Sequence, residues 1–470
     1  MTDRVLLRGG HVVTMDPAAG DLPSGDVLLC GDSIEAVGPR IGADSGAEVV
    51  DVTGKIVIPG FVDTHRHTWE TAIRGCAPDA TLDEYFAHVK GTLAPAYQPG
   101  DVYASNLAGS LECLNAGITT LVDWSHINNT PEHPDAAIRA LRETGIRAQY
   151  AYGCGNSAPG SHRDDSAVAV AAADVRRIRD TYFPSDAGLL MMALATRGPG
   201  LAVPGVVRSE WQTADDLAIP VTTHVTMSRR AGRPGMVSRL DQMGLLREGT
   251  TYVHSCHLTG EEWKLVAGSG GHISVAPQVE LQMGHGWPAV LTALRHGLRP
   301  SLSVDVVTSA PGDMFTQMRA AFAADRARAH AAAWEEEGTC EASERSPATA
   351  GDLGGAGPGG LLTARQMLEA ATIDGARGIG LGDRTGSLTP GKQADIVVID
   401  ATAINLAPVT DPVAAVVTCA DVSNVEHVLV AGTFRKRDGR LLADTARART
   451  LVESARDAIL ARAGRLGAGA

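Results

Sequence analysis

His65 and His67 stand one residue apart at the end of the run Pro59-Gly60-Phe61-Val62-Asp63-Thr64-His65-Arg66-His67. In an extended strand, residues i and i+2 project from the same face, so both imidazoles point the same way and can grip one divalent ion at about 2.0–2.1 Å. Three further groups also close apolar stretches: His224 after Ile219–Thr223, His254 after Thr250–Val253, and Asp305 after Pro300–Val304. At the carboxyl ends of barrel strands these residues converge on the face where such barrels place their chemistry. Taken singly, each histidine is more often a packed core or loop residue than a ligand. The ordered series His-x-His, His, His, Asp is what points to a metal centre.

The elements needed to hold that series are legible in the pattern around it. Between Phe61 and about Arg299, short apolar runs alternate with helical stretches, the rhythm of parallel βα units. Strands are expected near 61–65, 118–123, 146–151, 187–193, 219–224, 251–254, 272–275 and 300–305, the eight that a closed barrel requires. Helices fall between them, for example Asp101–Asn115, with Leu107, Leu111 and Leu114 on one face, and Asp165–Tyr182.

Short β-rich runs punctuated by Gly and Asp fill Val5–Ile58 and read as antiparallel strands. The same texture returns in Ala394–Asp400, Val425–Ala431 and Thr433–Gly439. The expected fold class is therefore α/β, a (β/α)8 TIM-type barrel with a small β-sandwich built from both chain ends. Residues 1–58 supply the first part of the sandwich, 59–390 the metal-binding barrel, and 391–470 the second part plus a terminal helix over Thr445–Arg465. Residues 333–360, rich in Glu and then in Gly, Ala and Pro, bury too little apolar surface to order themselves, and a mobile surface excursion is expected there.

A chain of 470 residues suits a large barrel with a smaller companion. Its net charge of -13 disfavours nucleic acid or an anionic membrane surface as partner, and a small neutral or cationic substrate fits better. Charges occur within the first ten residues and no long apolar stretch follows, so neither a signal peptide nor a membrane span is expected and the reading is cytoplasmic. Seven scattered cysteines without a Cys-x-x-Cys pair indicate reduced, mostly buried thiols.

With these residues in place the chain resembles the amidohydrolase superfamily, in its branch of triazine chlorohydrolases and S-adenosylhomocysteine, guanine and cytosine deaminases. The resemblance spans nearly the whole chain. It rests on Pro59–His67, Arg74-Gly75, Gly117–Thr120, Thr223-His224, His254-Ser255-Cys256, Asp305, and the string Gly386-Ser-Leu-Thr-Pro-Gly-Lys-Gln-Ala-Asp395. It implies that His65, His67, His224 and Asp305 bind one Zn²⁺, with Fe²⁺, Mn²⁺ or Co²⁺ as alternatives, since such a donor set accommodates several first-row ions. It also implies that a metal-bound hydroxide attacks an electrophilic carbon, with His254 beside the water and Asp305 accepting its proton, and that the chain forms a homodimer or larger homo-oligomer. A lysine-bridged dinuclear site is excluded by the residues themselves, because no Lys occurs between Lys90 and Lys264.

The pattern departs from the deaminases of that branch in two places. Three residues after the strand-five histidine they carry a proton-shuttling glutamate, whereas this chain reads His224-Val-Thr-Met227, and methionine cannot carry a proton. After strand seven, Glu280 stands where the family has Asn, either as a substitute acid or substrate contact, or as an exposed loop charge. Trp69, Glu70 and Tyr85 are candidate substrate-binding residues, with packing the alternative for each aromatic. His257 and His285 fall near the same rim without a required role, and Cys256 reads as packing.

Three functions stay open at this level. One is hydrolysis of a non-peptide C–N bond in a small heterocyclic, amide or urea-like substrate. Another is displacement of a non-amine leaving group, as in dechlorination or thiocarbamate hydrolysis. The last is a non-catalytic barrel scaffold.

Overall fold

The structure is a computed structural model that describes residues 4–42, 46–155, 171–227, 235–337 and 360–468. Eight strands form one sheet in chain order: Phe61–Arg66, Ile118–Ser125, Arg147–Tyr152, Leu190–Thr196, Val221–Val225, Thr250–His254, His272–Val275 and Ser301–Leu302. Every neighbouring pair is parallel, and helices connect successive strands. The result is the (β/α)8 barrel that the alternating apolar runs predicted.

Local residue choices explain how the first strand enters. At Gly60 an added Cβ would sit 2.1 Å from Thr119 Oγ1, so only glycine lets this strand pass the second so closely. Asp63, fully buried, then accepts from the backbone N–H of Val304 at 3.1 Å, tying the first strand to the segment just after the last.

The eighth strand is shorter than expected. Pairing stops at Leu302, and Asp305 instead forms a separate parallel bridge with Arg66. The Asp305 N–H donates to the His65 carbonyl at 2.9 Å and the His67 N–H donates to the Asp305 carbonyl at 2.8 Å. The barrel thus closes through the backbone of its own candidate ligands.

The two chain ends build one nine-stranded sheet. Lys55–Pro59 pairs antiparallel with Ile396–Asp400, which joins the halves, and Leu7, Leu29 and Val57 lie buried with Ile396 and Leu429 in a core of its own. One expectation changes here: Arg4–Val12 pairs antiparallel with Leu22–Cys30 but parallel with Glu48–Asp51 and Lys55–Pro59. After two reversals the chain again runs in the direction of its first strand, so a segment returning to that strand's free edge lies parallel to it.

The string Gly386–Asp395 fastens sheet to barrel. Asp395 accepts a bidentate pair from Arg147 at 2.8 and 2.9 Å, both side chains buried, and also accepts from the Ala431 N–H at 2.7 Å.

The expected helix at Asp101 begins at Pro99, with Asp101 accepting from the Gln98 N–H at 2.8 Å as its cap. The terminal helix spans Thr445–Ala468 and packs across it, with Arg462 donating to the Ala96 carbonyl at 2.7 Å. The expected helix at 165–182 is described from Ala172 onward, its earlier residues lying outside the described set except for an unhelical Ala171. Residues 333–337 continue the helix Met314–Glu337, and 338–359 of the expected excursion lie outside the described residues. Among the described residues no helix is long and apolar enough to cross a membrane, and their cysteines are all free thiols.

Candidate active site

The first, fifth and sixth barrel strands and the turn after the eighth bring five side chains together at one end of the barrel. His65, His224, His254 and Asp305 present ligand atoms that all lie within 4.8 Å of one another, every residue buried. His65 Nε2 is 3.1 Å from Asp305 Oδ1 and 3.2 Å from His224 Nε2. His67 borders the group with Nε2 3.3 Å from Asp305 Oδ1, and His254 Nε2 is 3.8 Å from Asp305 Oδ2. The sequence reading separated His67 as ligand from His254 as neighbour; in space the tightest foursome contains His254, with His67 at its edge.

Backbone strain is concentrated at the same place. His254 has φ +73° and Asp305 φ +66°, left-handed values that non-glycine residues rarely adopt. Each costs about 1–3 kcal/mol and persists only where the surroundings enforce it. Here the Ser255 N–H donates to the Val225 carbonyl at 3.2 Å, and the bridge to His65 and His67 fixes Asp305.

Electrostatics make the cluster a cation site. Burial pushes His65, and still more His67 and His224, below the ordinary imidazole value, so these rings stay neutral. Burial would raise Asp305, but the hydrogen bond from His65 and the surrounding histidines hold it well below the usual carboxylate range. His67 Nδ1–H donates to the Trp124 carbonyl at 2.9 Å, which leaves Nε2 as a lone pair facing Asp305. The His67 Nε2 lone pair and the ionised Asp305 carboxylate, 3.3 Å apart, repel one another unless a cation lies beside them. The residues present therefore fit one divalent ion.

A cavity of about 550 Å³ opens over the cluster, and His67, His224, His254 and Asp305 form part of its wall. Tyr85 lines it as expected. Trp69 and Glu70 do not: both sit on the fully buried helical turn Thr68–Ile73 behind the wall, where Glu70 accepts from the Tyr85 hydroxyl at 2.5 Å. Met227 lines the cavity, so the position at which the resemblance implies a glutamate faces that space.

Glu280 is not an exposed loop charge, and it does not line the cavity. It is fully buried, accepts from the Ala276 N–H at 2.8 Å, and its Oε1 lies 3.1 Å from His254 Nδ1. Burial raises Glu280 itself; for His254, burial acts downward but the hydrogen bond to Glu280 and the charge of Asp305 outweigh it, so its value is raised. His285 also lines the cavity, whereas His257 lies behind it with Nε2 2.6 Å from the His285 carbonyl.

Sequence reasoning missed Lys90, His126 and Arg197, which also line the cavity. Only Lys90 left a signal. The chain has five lysines against many arginines, and this one falls in an otherwise apolar helical stretch.

Comparison with known proteins agrees with this geometry. The sequence profile described as the amidohydrolase family matches residues 56–435. A 5-methylthioadenosine/S-adenosylhomocysteine deaminase of Symbiobacterium thermophilum is 27% identical over 452 residues, covering 93% of this chain and 94% of that protein. Among solved structures, an adenosine deaminase from Xanthomonas campestris with bound zinc superposes with a TM-score of 0.80 at 24% identity, covering 98% of this chain and 99% of its own. An atrazine chlorohydrolase variant from Arthrobacter aurescens, complexed with zinc and atraton, gives 0.81 at 24% identity, covering 96% and 100%.

Proposed function

Because the chain belongs to the amidohydrolase family, a family of metal-dependent hydrolases, we propose that it hydrolyses a C–N bond of a small heterocyclic substrate at the cluster of His65, His67, His224, His254 and Asp305. The observation that carries this reading is the convergence of those buried donors on one wall of a substrate-sized cavity. His65, His67, His224 and Asp305 are the proposed ligands of one divalent ion, with Zn²⁺ favoured by the zinc in the structurally similar deaminase and chlorohydrolase. Such an ion, when bound, lowers the pKa of a coordinated water from about 15.7 towards about 7 and polarises the carbon attacked.

The chain's own residues handle the protons. Asp305, held as the ionised carboxylate, accepts one from the attacking water. Glu280 Oε1 holds the Nδ1 proton of His254, which orients Nε2 towards the cavity. His254 Nε2 takes the water's proton over from Asp305 Oδ2, 3.8 Å away, and delivers it to the leaving nitrogen, so water adds OH to carbon and H to the departing amine. Glu280 acts through His254 and is a positioning residue.

Met227 favours a second reading. An amine needs a proton to leave, whereas chloride or thiolate needs little, and the cavity wall at Met227 offers none. Purified protein assayed for metal content and for ammonia release from aminopyrimidines, purines and aminotriazines tests the first reading. One ion per chain with ammonia release is the expected result. Chloride or thiol release without ammonia moves the assignment to the second reading, and protein that turns over no member of either panel with its metal site filled overturns both.

A further inference from the structure

Lys90 is a buried ammonium in the wall of the cavity. Its Nζ donates to the His126 carbonyl at 3.1 Å and lies 5.3 Å from the centre of the Trp69 ring. An ammonium carries three donors, and among the described residues Lys90 has no ion pair. Glu70, whose field reaches it, accepts from Tyr85 instead. Arg197, the other cation of the wall, is bound to Glu210 at 3.1 Å. Apart from Asp305, the carboxylate among the lining residues is Asp83, which is exposed. A desolvated, unpaired cation facing a cavity is costly unless what enters the cavity completes it.

A second polar side chain in the same wall lacks partners. His285 is 2% exposed and both its ring nitrogens are buried without a hydrogen bond. A neutral imidazole offers one N–H and one lone pair, the complement of a heterocycle edge that carries an acceptor and a donor. Leu82, Phe86, Met227 and Met283 supply apolar wall in the same cavity.

We propose that the substrate is a small heterocycle bearing an anionic substituent, of carboxylate type, which pairs with Lys90 while His285 hydrogen-bonds the ring edge. This deepens the hydrolase reading and rests on it only in taking this cavity as the substrate site. It also reverses the expectation from net charge: the overall field of -13 acts at long range, whereas a buried ammonium acts at contact distance, where the dielectric is low.

The test is calorimetric binding of 2-aminopyrimidine-4-carboxylate and its uncharged carboxamide to the metal-loaded protein, its Lys90→Met and Lys90→Arg variants, and His285→Phe. A charge-assisted hydrogen bond predicts that the native protein binds the acid about ten- to a hundred-fold tighter than the amide. Lys90→Met is expected to abolish that preference with the amide affinity retained, Lys90→Arg to keep part of it, and His285→Phe to weaken both ligands alike. Equal or absent binding of the acid by the native protein, or a preference that survives Lys90→Met, overturns the proposal. Metal content and amine release are followed on the same preparations. Acid-selective binding without hydrolysis of any panel member sinks the hydrolase reading and leaves the anion site standing.

Discussion

Glu280 Oε1 lies 3.1 Å from His254 Nδ1, on the opposite side of the ring from Asp305, whose Oδ2 is 3.8 Å from His254 Nε2. The imidazole is therefore held between two carboxylates, one sealed in the core and one on the cavity wall. Glu280 reaches it from the short helix Pro277–Gln282 that follows the seventh strand, so in the proposed mechanism the departure at residue 280 and the one at Met227 bear on the same proton. Where the chain loses a carboxyl at the cavity wall, it has one behind the neighbouring histidine.

Glu280→Gln keeps an oxygen near His254 Nδ1 but removes the charge. Second carboxylates of this kind are worth about 10–100-fold in activity or metal affinity, and the expected loss is in kcat with KM unchanged, because Glu280 does not touch the substrate. Steady-state kinetics on the best substrate, with metal content measured alongside, checks this. Unchanged turnover removes Glu280 from the mechanism.

Asp305→Asn separates the ligand from the scaffold. The bridge that closes the barrel uses the backbone of Asp305, so the variant is expected to fold with an unchanged circular dichroism spectrum. It should bind metal weakly and lose turnover. In the native protein, added Zn²⁺ at about 100 times its Kd stabilises the fold by about 2.7 kcal/mol, and the matching rise in melting temperature is expected to be absent in Asp305→Asn.

The reach of sequence reading follows from the kind of rule each residue obeys. His65 and His67 were legible because strand periodicity alone puts them on one face, and His224, His254 and Asp305 because each ends an apolar run. The division of roles among them was not, since the spacing says nothing of whether His67 or His254 stands nearer Asp305. The eighth strand was read too long because Val304 looks like strand, while its N–H is taken by Asp63. Trp69 and Glu70 follow the ligands closely in sequence, yet the helical turn Thr68–Ile73 carries them behind the wall. Lys90 has no periodicity to announce it, and only the folded cavity shows what it faces.

Asp395→Ala tests how the barrel is fastened to the sheet. It leaves the Arg147 guanidinium buried without its bidentate partner, and removing one member of a buried pair costs about 3–5 kcal/mol. The expected result is a clear fall in the denaturation midpoint with metal binding retained, because the pair lies away from the histidine cluster. Loss of metal at full stability would contradict that separation.

The anion preference should itself depend on pH, and the sign follows from Lys90. Burial lowers its pKa to about 8, against the fields of Cys154 and Glu70 acting upward, so it is mostly protonated at pH 7 and increasingly neutral above pH 8. The protonated form is the one that pairs with a carboxylate. Affinity for the acid is therefore expected to hold below about pH 8 and fall as pH rises through it, by at most about ten-fold per pH unit for one proton. Burial also raises Glu70 to about 8, so the charge that Glu70 gains over the same interval weakens anion binding further. The carboxamide has no charge to pair, and its affinity is expected to stay level over this range. Calorimetry from about pH 6.5 to about 9.5 in buffers of different ionisation enthalpy reads both the affinity and the proton taken up on binding. A native profile that stays flat for the acid, or a fall as steep in Lys90→Met as in the native protein, would remove Lys90 as the group responsible, since ionisation of Glu70 alone leaves only the shallower part of the fall.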